Sequence, residues 1–380
     1  MSSGDTISFP NWSTESTSGR HCLDRYKYTP FLKLKANEVA AIASLSDVVK
    51  DKIVPFFDLA RKDGMSPAGF GSMVSKSVVK LRKYIGQTRP FFLDNYDIAD
   101  DILLNGQPNY EAVMHEFREL NFIPVVGLNR TVAHNQAVFN AKASGLLKSG
   151  AVAIRLAEED FESFGLIQGE LGDLIKAGAQ FAHWILVLDC RMCRNVDPAT
   201  HAAKLASFIS QATRVFDFSL TIVAGSSIPA AIGEIAKVDV RCNISRVELT
   251  IYRTIRAMGL DRVGFGDYTV VSPLYSDVTL PPEMMRTVTA PKVLYSHEDL
   301  HFIARGGALK THARGNLQYN DLASEIVAQP FYRGAPYSFG DDFLNVKAKM
   351  GGKLVTPGSI LNPTINAHIT YMATGHPLLM

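Results

Sequence analysis

Eight positions in the first 270 residues place an ionisable or polar side chain directly after a short apolar run: Lys35, Asp58, Asp94, Asn129 with Arg130, Arg155, Asp189, Ser226 and Asp267. Carboxylates mixed with cations in this way suit general acid–base chemistry, phosphate binding or divalent-metal coordination. Four carboxylates brought together raise one another's pKa unless cations intervene. Lys35, Arg155 or a metal such as Mg²⁺ would supply that compensation. The set therefore reads as catalytic Lys35, Asp58, Asp94 and Asp267, with Asp58, Asp94, Asp189 and Asp267 as metal ligands. Lys33, Arg155, Asn129, Ser226, Tyr268 and Arg305 are expected to hold a small anionic or phosphorylated ligand. Schiff-base chemistry at Lys35 or Lys33 is an alternative that needs a depressed lysine pKa. Each strand-exit Asp or Asn also has a plainer role available, capping the helix that follows. Capping explains neither Lys35 nor Arg155, nor the alternation that puts Lys33 and Lys35 on one face of their strand.

Whether these groups meet depends on the elements that carry them. Pro30 to Lys35 alternates with the period of a strand and runs into a helix near Asn37, a suitable N-cap. Seven further apolar runs read as strands: 53–58, 91–94, 122–128, 152–156, 184–189, 220–224 and 263–268. Helical patterns separate them, at 38–49, 67–85, 109–120, 132–149, 165–179, 198–213, 229–237 and 246–258, with Ser245 and Glu248 as a capping box for the last. Eight strands in about 240 residues match a (β/α)8 barrel, where ligands bind at the carboxyl ends of the strands. No G-x-G-x-x-G loop follows the first strand, which argues against an open doubly wound sheet.

The expected organisation is a loose tail over 1–26, the α/β barrel over 27–273, and an appended α+β region over 274–380 packed on the barrel. In that last region 291–305 reads as two strands and 317–327 as a helix, with strand-like pieces at 343–346 and 368–372. Arg305 to Gly315 is basic and glycine-rich, and Tyr319, Phe331, Tyr332 and Tyr337 offer rings for stacking bases, although a solvated loop is the plainer reading. The region is thus a candidate surface for a protein, a nucleic acid or a second copy of the chain.

The chain has 380 residues, 47% hydrophobic and 20% charged, with a net charge of +2, so no global charge excess directs it to nucleic acid or an acidic membrane. Cys22, Cys190, Cys193 and Cys242 are too few for a disulfide framework and indicate a reducing, cytoplasmic setting. Cys190-Arg-Met-Cys193 is a lone C-x-x-C, read as ordinary thiols, or as a redox pair or half a zinc site with His201 or His183. No run is long enough to span a membrane, and no Ser-His-Asp order or Walker loop is recognisable.

The motifs Y-x-P-x-L-K-x-K-x-x-E (Tyr28 to Glu38), I-V-P-x-F-D (Ile53 to Asp58), R-x-E (Arg246, Glu248) and G-D-Y (Gly266 to Tyr268) occur in that order. R-G-G (Arg305 to Gly307) and F-G-D (Phe339 to Asp341) follow them. Together they resemble the beta-protein family of bacteriophages and bacteria, from Tyr28 onward. The resemblance implies a phage or phage-defence setting and brings no assigned activity or catalytic residue. The expected function is an enzyme, a metal-dependent phosphodiesterase or hydrolase, acting on a phosphorylated or nucleotide-like ligand at the barrel mouth. The alternative is a non-catalytic scaffold that binds protein or nucleic acid through its C-terminal region.

Overall fold

The computed structural model describes residues 28–99, 101–104, 106–275 and 289–379. The 1–26 tail expected from the sequence lies outside the described residues. Eight parallel strands close into a barrel: β1 (Tyr28–Lys33), β2 (Phe56–Asp58), β3 (Phe91–Asp94), β4 (Phe122–Val126), β5 (Ala151–Leu156), β6 (His183–Met192), β7 (Phe218–Ser226) and β8 (Val263–Asp267). Each strand pairs with its neighbours in sequence, and β8 closes onto β1. The connecting helices are α1 (Ala36–Ala43), α2 (Pro67–Tyr84), α3 (Asn109–Phe117), α4 (Val132–Ala143), α5 (Phe164–Ala177), α6 (Pro198–Val215) and α7 (Val247–Ala257). Near-continuous apolar runs form the strands because helices cover one face and the barrel's own core the other.

Inside the barrel Phe31, Phe56 and Phe92 form a stack across three adjacent strands, with ring centroids 4.4 and 5.3 Å apart. Small residues on the far side balance that volume: Ala151, Ala153 and Ala224 face inward. Gly264 and Gly266 share their strand's inward parity. A Cβ at Gly266 would lie 2.7 Å from the Phe31 ring and 3.0 Å from the Ala224 Cβ. The barrel is therefore closed by a glycine where its aromatic wedge is thickest.

After β8 the chain builds the appended α+β region from β9 (Lys292–His297), β10 (Leu300–Arg305), α8 (Gln318–Val327), α9 (Phe339–Ala348) and α10 (Leu361–Thr374). The strand Arg241–Ser245, which precedes α7 in the barrel sequence, pairs antiparallel with β10 and so belongs to this second sheet. α10 is buried over almost its whole length and lies against α1, where Asn366 Nδ2 donates to the Ala41 carbonyl at 3.1 Å.

Three local expectations are corrected. The 343–346 and 368–372 pieces are helical, within α9 and α10; an all-round buried helix lacks the amphipathic stripe that marks helices in sequence. The α1 N-cap is Lys35 rather than Asn37. Glu248 does not close a capping box with Ser245; it accepts from Ser227 Oγ and Arg246 Nε.

Gly266→Ala is expected to lower unfolding stability by about 2 kcal/mol, in the range of overpacked cores. Gly264→Ala, whose Cβ meets nothing closer than 3.6 Å, serves as the control and should cost less. Denaturant melts of both variants check this.

Candidate active site at the barrel mouth

The exit residues are set by strand parity. Lys33 pairs in register with Asp58, and Asp58 with Asp94, so three adjacent strands end in one inward-facing layer. Arg155 at the end of β5 and Asp189 on β6 reach the same layer from the other side, and Tyr268, just past β8, points in beside them.

Arg155, 1% exposed, is the hub. Its Nη1 donates to Asp58 Oδ1 at 2.6 Å and Asp94 Oδ2 at 2.8 Å. Its Nη2 donates to Asp189 Oδ2 at 2.6 Å, Asp58 Oδ2 at 3.3 Å and the Tyr268 hydroxyl at 3.1 Å, while Nε donates to Asp189 at 3.1 Å. The Tyr268 hydroxyl in turn donates to Asp189 Oδ2 at 2.7 Å. Arg130 caps the outer oxygen of Asp94, which also accepts from the Asn95 amide. The cation that gathers these acids is thus a guanidinium.

Three carboxylates on one guanidinium leave excess negative charge. Burial, opposed by Arg155 and reinforced by Asp94, pushes Asp58 up to about 6. Burial acts on Asp94 too, but Arg130 and Arg155 together hold it below the usual carboxylate range. None of the exit acids caps a helix; α2, α4 and α6 are capped by the side chains of Ser66, Thr131 and Asp197. The capping role is therefore set aside for Asp58, Asp94 and Asp189.

Lys33 occupies the rim of this layer. Its Nζ donates to the carbonyls of Ser272 at 3.4 Å and Leu274 at 3.3 Å, and stands 3.6 Å from the centroid of the Tyr275 ring. Burial, together with the charge of Lys35, lowers its pKa to about 8 despite Asp97 and Asp58. Beside it, the half-buried Tyr96 ring is faced by three guanidiniums, Arg155 at 4.4 Å, Arg191 at 4.8 Å and Arg130 at 4.9 Å. Arg191, in a left-handed conformation (φ 45°), donates its amide to Asp189 and its side chain to the Pro273 carbonyl.

The remaining expected site residues lie elsewhere. Asp267 shares the parity of Phe265, so it points out of the barrel. It accepts from Tyr28 OH at 2.8 Å, Arg246 Nη2 at 2.6 Å and His368 Nε2 at 2.9 Å. His368 and Arg246 hold its carboxyl well below the usual range against the opposing effect of burial. The inward glycines at 264 and 266 were the sequence signal for this, since they fix the opposite parity for 267. Lys35 sits beyond the end of β1, exposed, where alternation no longer applies. Asn129 is exposed after β4. Ser226 is buried in loop hydrogen bonds to Ile228 and Val271. Arg305 donates to the Ala236 carbonyl at the second sheet. Tyr96 and Tyr275 lie on loops past the strand ends, where no period marks them, and Arg191 lies in the irregular end of β6, where a left-handed residue and a register shift break the alternation.

The carboxylates do not fit a resident metal. Their oxygens converge on Arg155, a bound Mg²⁺ would have to displace that guanidinium, and among the described residues no three His, Cys, Asp or Glu side chains form a metal-holding group. Cys190 and Cys193 are buried, and burial raises both thiols; His201 Nε2 lies 3.4 Å from Cys190 Sγ.

Behind β8 a second chain of side chains runs from Asp267 through His368 to Ser296. With His368 Nε2–H donating to Asp267, its Nδ1 accepts the Ser296 hydroxyl at 2.6 Å, and His301 Nδ1 lies 2.9 Å from the same oxygen. This has the order of a catalytic triad, but Ser296, His368 and Asp267 are each 1% exposed, so no substrate reaches the hydroxyl. It ties the appended region to the barrel.

A family model described as "Beta protein" matches residues 28–374. The chain belongs to the beta protein family. Residues of four of the quoted motifs meet in the two buried clusters: Tyr28, Arg246, Glu248 and Asp267 form one, and Asp58 and Tyr268 join the other through Arg155. Similar solved structures include a glucosidase from Croceicoccus marinus, at TM-score 0.31 and 14% identity, covering 46% of this chain and 43% of that one. Another is the apo 3-keto-D-glucoside 4-epimerase of E. coli, at TM-score 0.30 and 9% identity, covering 67% of this chain and 94% of that one. This chain thus spans less than half of the glucosidase's length, and neither likeness bears on its chemistry. No curated protein matches the chain.

The raised Asp58 pKa gives a pH signature. The folded state keeps the Asp58 proton up to about 6 whereas the unfolded carboxyl releases it near the ordinary aspartate value of 3.8, so this group's stabilising contribution is lost as pH rises between those values. Asp58→Asn lacks that loss. Its stability relative to wild type is expected to shift in the variant's favour between about pH 4 and about pH 7, read by urea unfolding at each pH.

Proposed function

We propose that this beta protein is an enzyme that binds a small phosphorylated, nucleotide-like ligand over the Arg155 cluster, with Lys33 as the group that touches it. The observation that carries this reading is Lys33 itself: a lysine at the ligand end of a closed barrel, held by two carbonyls and a tyrosine ring and lowered to about 8. Such an amine binds an anion when protonated and, in the neutral fraction present near pH 7.5, accepts a proton from an attacking water or hydroxyl. Phosphodiester or phosphoryl transfer is the reaction class we favour, with no step assigned to a metal in the Asp58, Asp94 and Asp189 set. Asp58 and its partners act here by fixing the charge beneath Lys33. A phage or bacterial phage-defence setting is part of the same proposal.

One observation favours a second reading. Every acid in the Arg155 cluster already has a cationic partner, as in a structural core, which suits a scaffold that binds through its appended region.

The two separate on turnover of nucleoside monophosphates and 2′,3′-cyclic mononucleotides. The enzyme reading predicts a rate that climbs with pH, is half-maximal near pH 8 and levels about a unit above it, as the Lys33 amine loses its proton. Lys33→Met should lower kcat by about 100-fold or more. Lys33→Arg, which keeps the charge without the base, should retain binding and lose rate. Turnover untouched by Lys33→Met, or no thermal shift with any probe at millimolar concentration, would leave the scaffold.

A further inference from the structure

Beside the mouth, between the β1–α1 junction and the first turns of α2, lies a groove of about 610 Å³. Lys35, Arg61, Lys62, Lys76 and Lys80 line it, and among the described residues no lining residue is acidic. The chain as a whole is nearly balanced, with 39 Lys and Arg against 37 Asp and Glu, so five cations in one groove are a local concentration. They come from three separate segments: Lys35 from the end of β1, Arg61 and Lys62 from the loop after β2, and Lys76 and Lys80 from one face of α2, four residues apart. Asp63 approaches Arg61 only to 3.9 Å and is itself 74% exposed, too loose to neutralise the set. Unscreened like charges gathered in a concave site focus potential and attract a polyanion.

Tyr275 contacts cations of both the groove and the mouth. Its hydroxyl accepts from the Arg61 amide at 2.9 Å, and its ring has Arg61 4.8 Å and Lys35 5.0 Å away, with Lys33 at 3.6 Å.

We propose that the groove is a binding site for a polyphosphate group, a linear chain of two or three phosphates such as a nucleoside di- or triphosphate carries. A single phosphate engages two or three cationic side chains, whereas five spread along a groove match a longer anion. Among the described residues the lining itself carries no aromatic side chain, and the Tyr275 ring beside it is already met by Lys33, Lys35 and Arg61, which favours a compact polyphosphate over a single-stranded nucleic acid. The groove also gives Lys35 a place: it is an anion-binding cation outside the barrel rather than a catalytic group inside it. This site stands or falls independently of the reading of the mouth, because Lys33 does not line it.

Isothermal titration of the full chain with inorganic tripolyphosphate and with orthophosphate tests the assignment. Tripolyphosphate is expected to bind at least about tenfold tighter than orthophosphate and to weaken as salt is raised. Lys76→Glu with Lys80→Glu should reduce that affinity by about tenfold or more. Both lysines are exposed, so thermal melts should not change. No binding at millimolar tripolyphosphate, or affinity indifferent to the Lys76 and Lys80 changes, overturns the proposal. So does a uridine 12-mer that binds through Lys76 and Lys80 while tripolyphosphate does not.

Discussion

A single buried guanidinium holds the ligand end of this barrel together. Arg155 reaches from β5 to carboxylates on β2, β3 and β6 and to the hydroxyl of Tyr268 beyond β8. Burying three acids is tolerable only if a cation with several donors in fixed directions meets them, and the planar fork of arginine does this where a lysine would not. Closing the barrel brings the acids together, and Arg155 makes their proximity stable. The acids are thereby spoken for, and Lys33, Tyr96, Arg191 and Tyr275 surround them at the rim of the mouth.

The two buried clusters are back to back across one peptide. Tyr268 turns into the barrel towards Arg155, while its neighbour Asp267 turns out towards Arg246, Tyr28 and His368. Period-two alternation at the end of β8 therefore couples the mouth to the appended α+β region. The strand Arg241–Ser245 adds a second tie, since it leaves the barrel sequence to pair with β10. The appended region is fixed to the barrel by hydrogen bonds and ion pairs as well as by apolar packing.

The barrel was legible in the sequence because eight apolar runs, each followed by a helical pattern, leave few other ways to bury themselves. The convergence of Asp58, Asp94, Arg155 and Asp189 followed from that topology alone. What the sequence hid has physical causes. Asp267 looked like its fellow strand-exit acids, and only the inward glycines beside it betrayed the opposite parity. Lys35 continued an alternation whose strand had already ended at Lys33. α10 is buried on nearly every side, so His368 to Met372 resembled a strand. Which cation would meet the acids was left open among Lys35, Arg155 and a metal, because spacing along a chain does not report how far an arginine reaches across a barrel.

Compensation of the mouth acids' charge by Arg155 is measured by the unfolding free energy of Arg155→Met alone and combined with Asp58→Asn and Asp189→Asn. Removing one partner of a buried ionic cluster leaves its counter-charges unpaired, so the single variant is expected to lose about 3–5 kcal/mol. Neutralising two of the acids should restore a large part of that loss. A single variant within about 0.5 kcal/mol of wild type, the range of an ordinary surface change, or a combined variant no better than the single one, would contradict the claim.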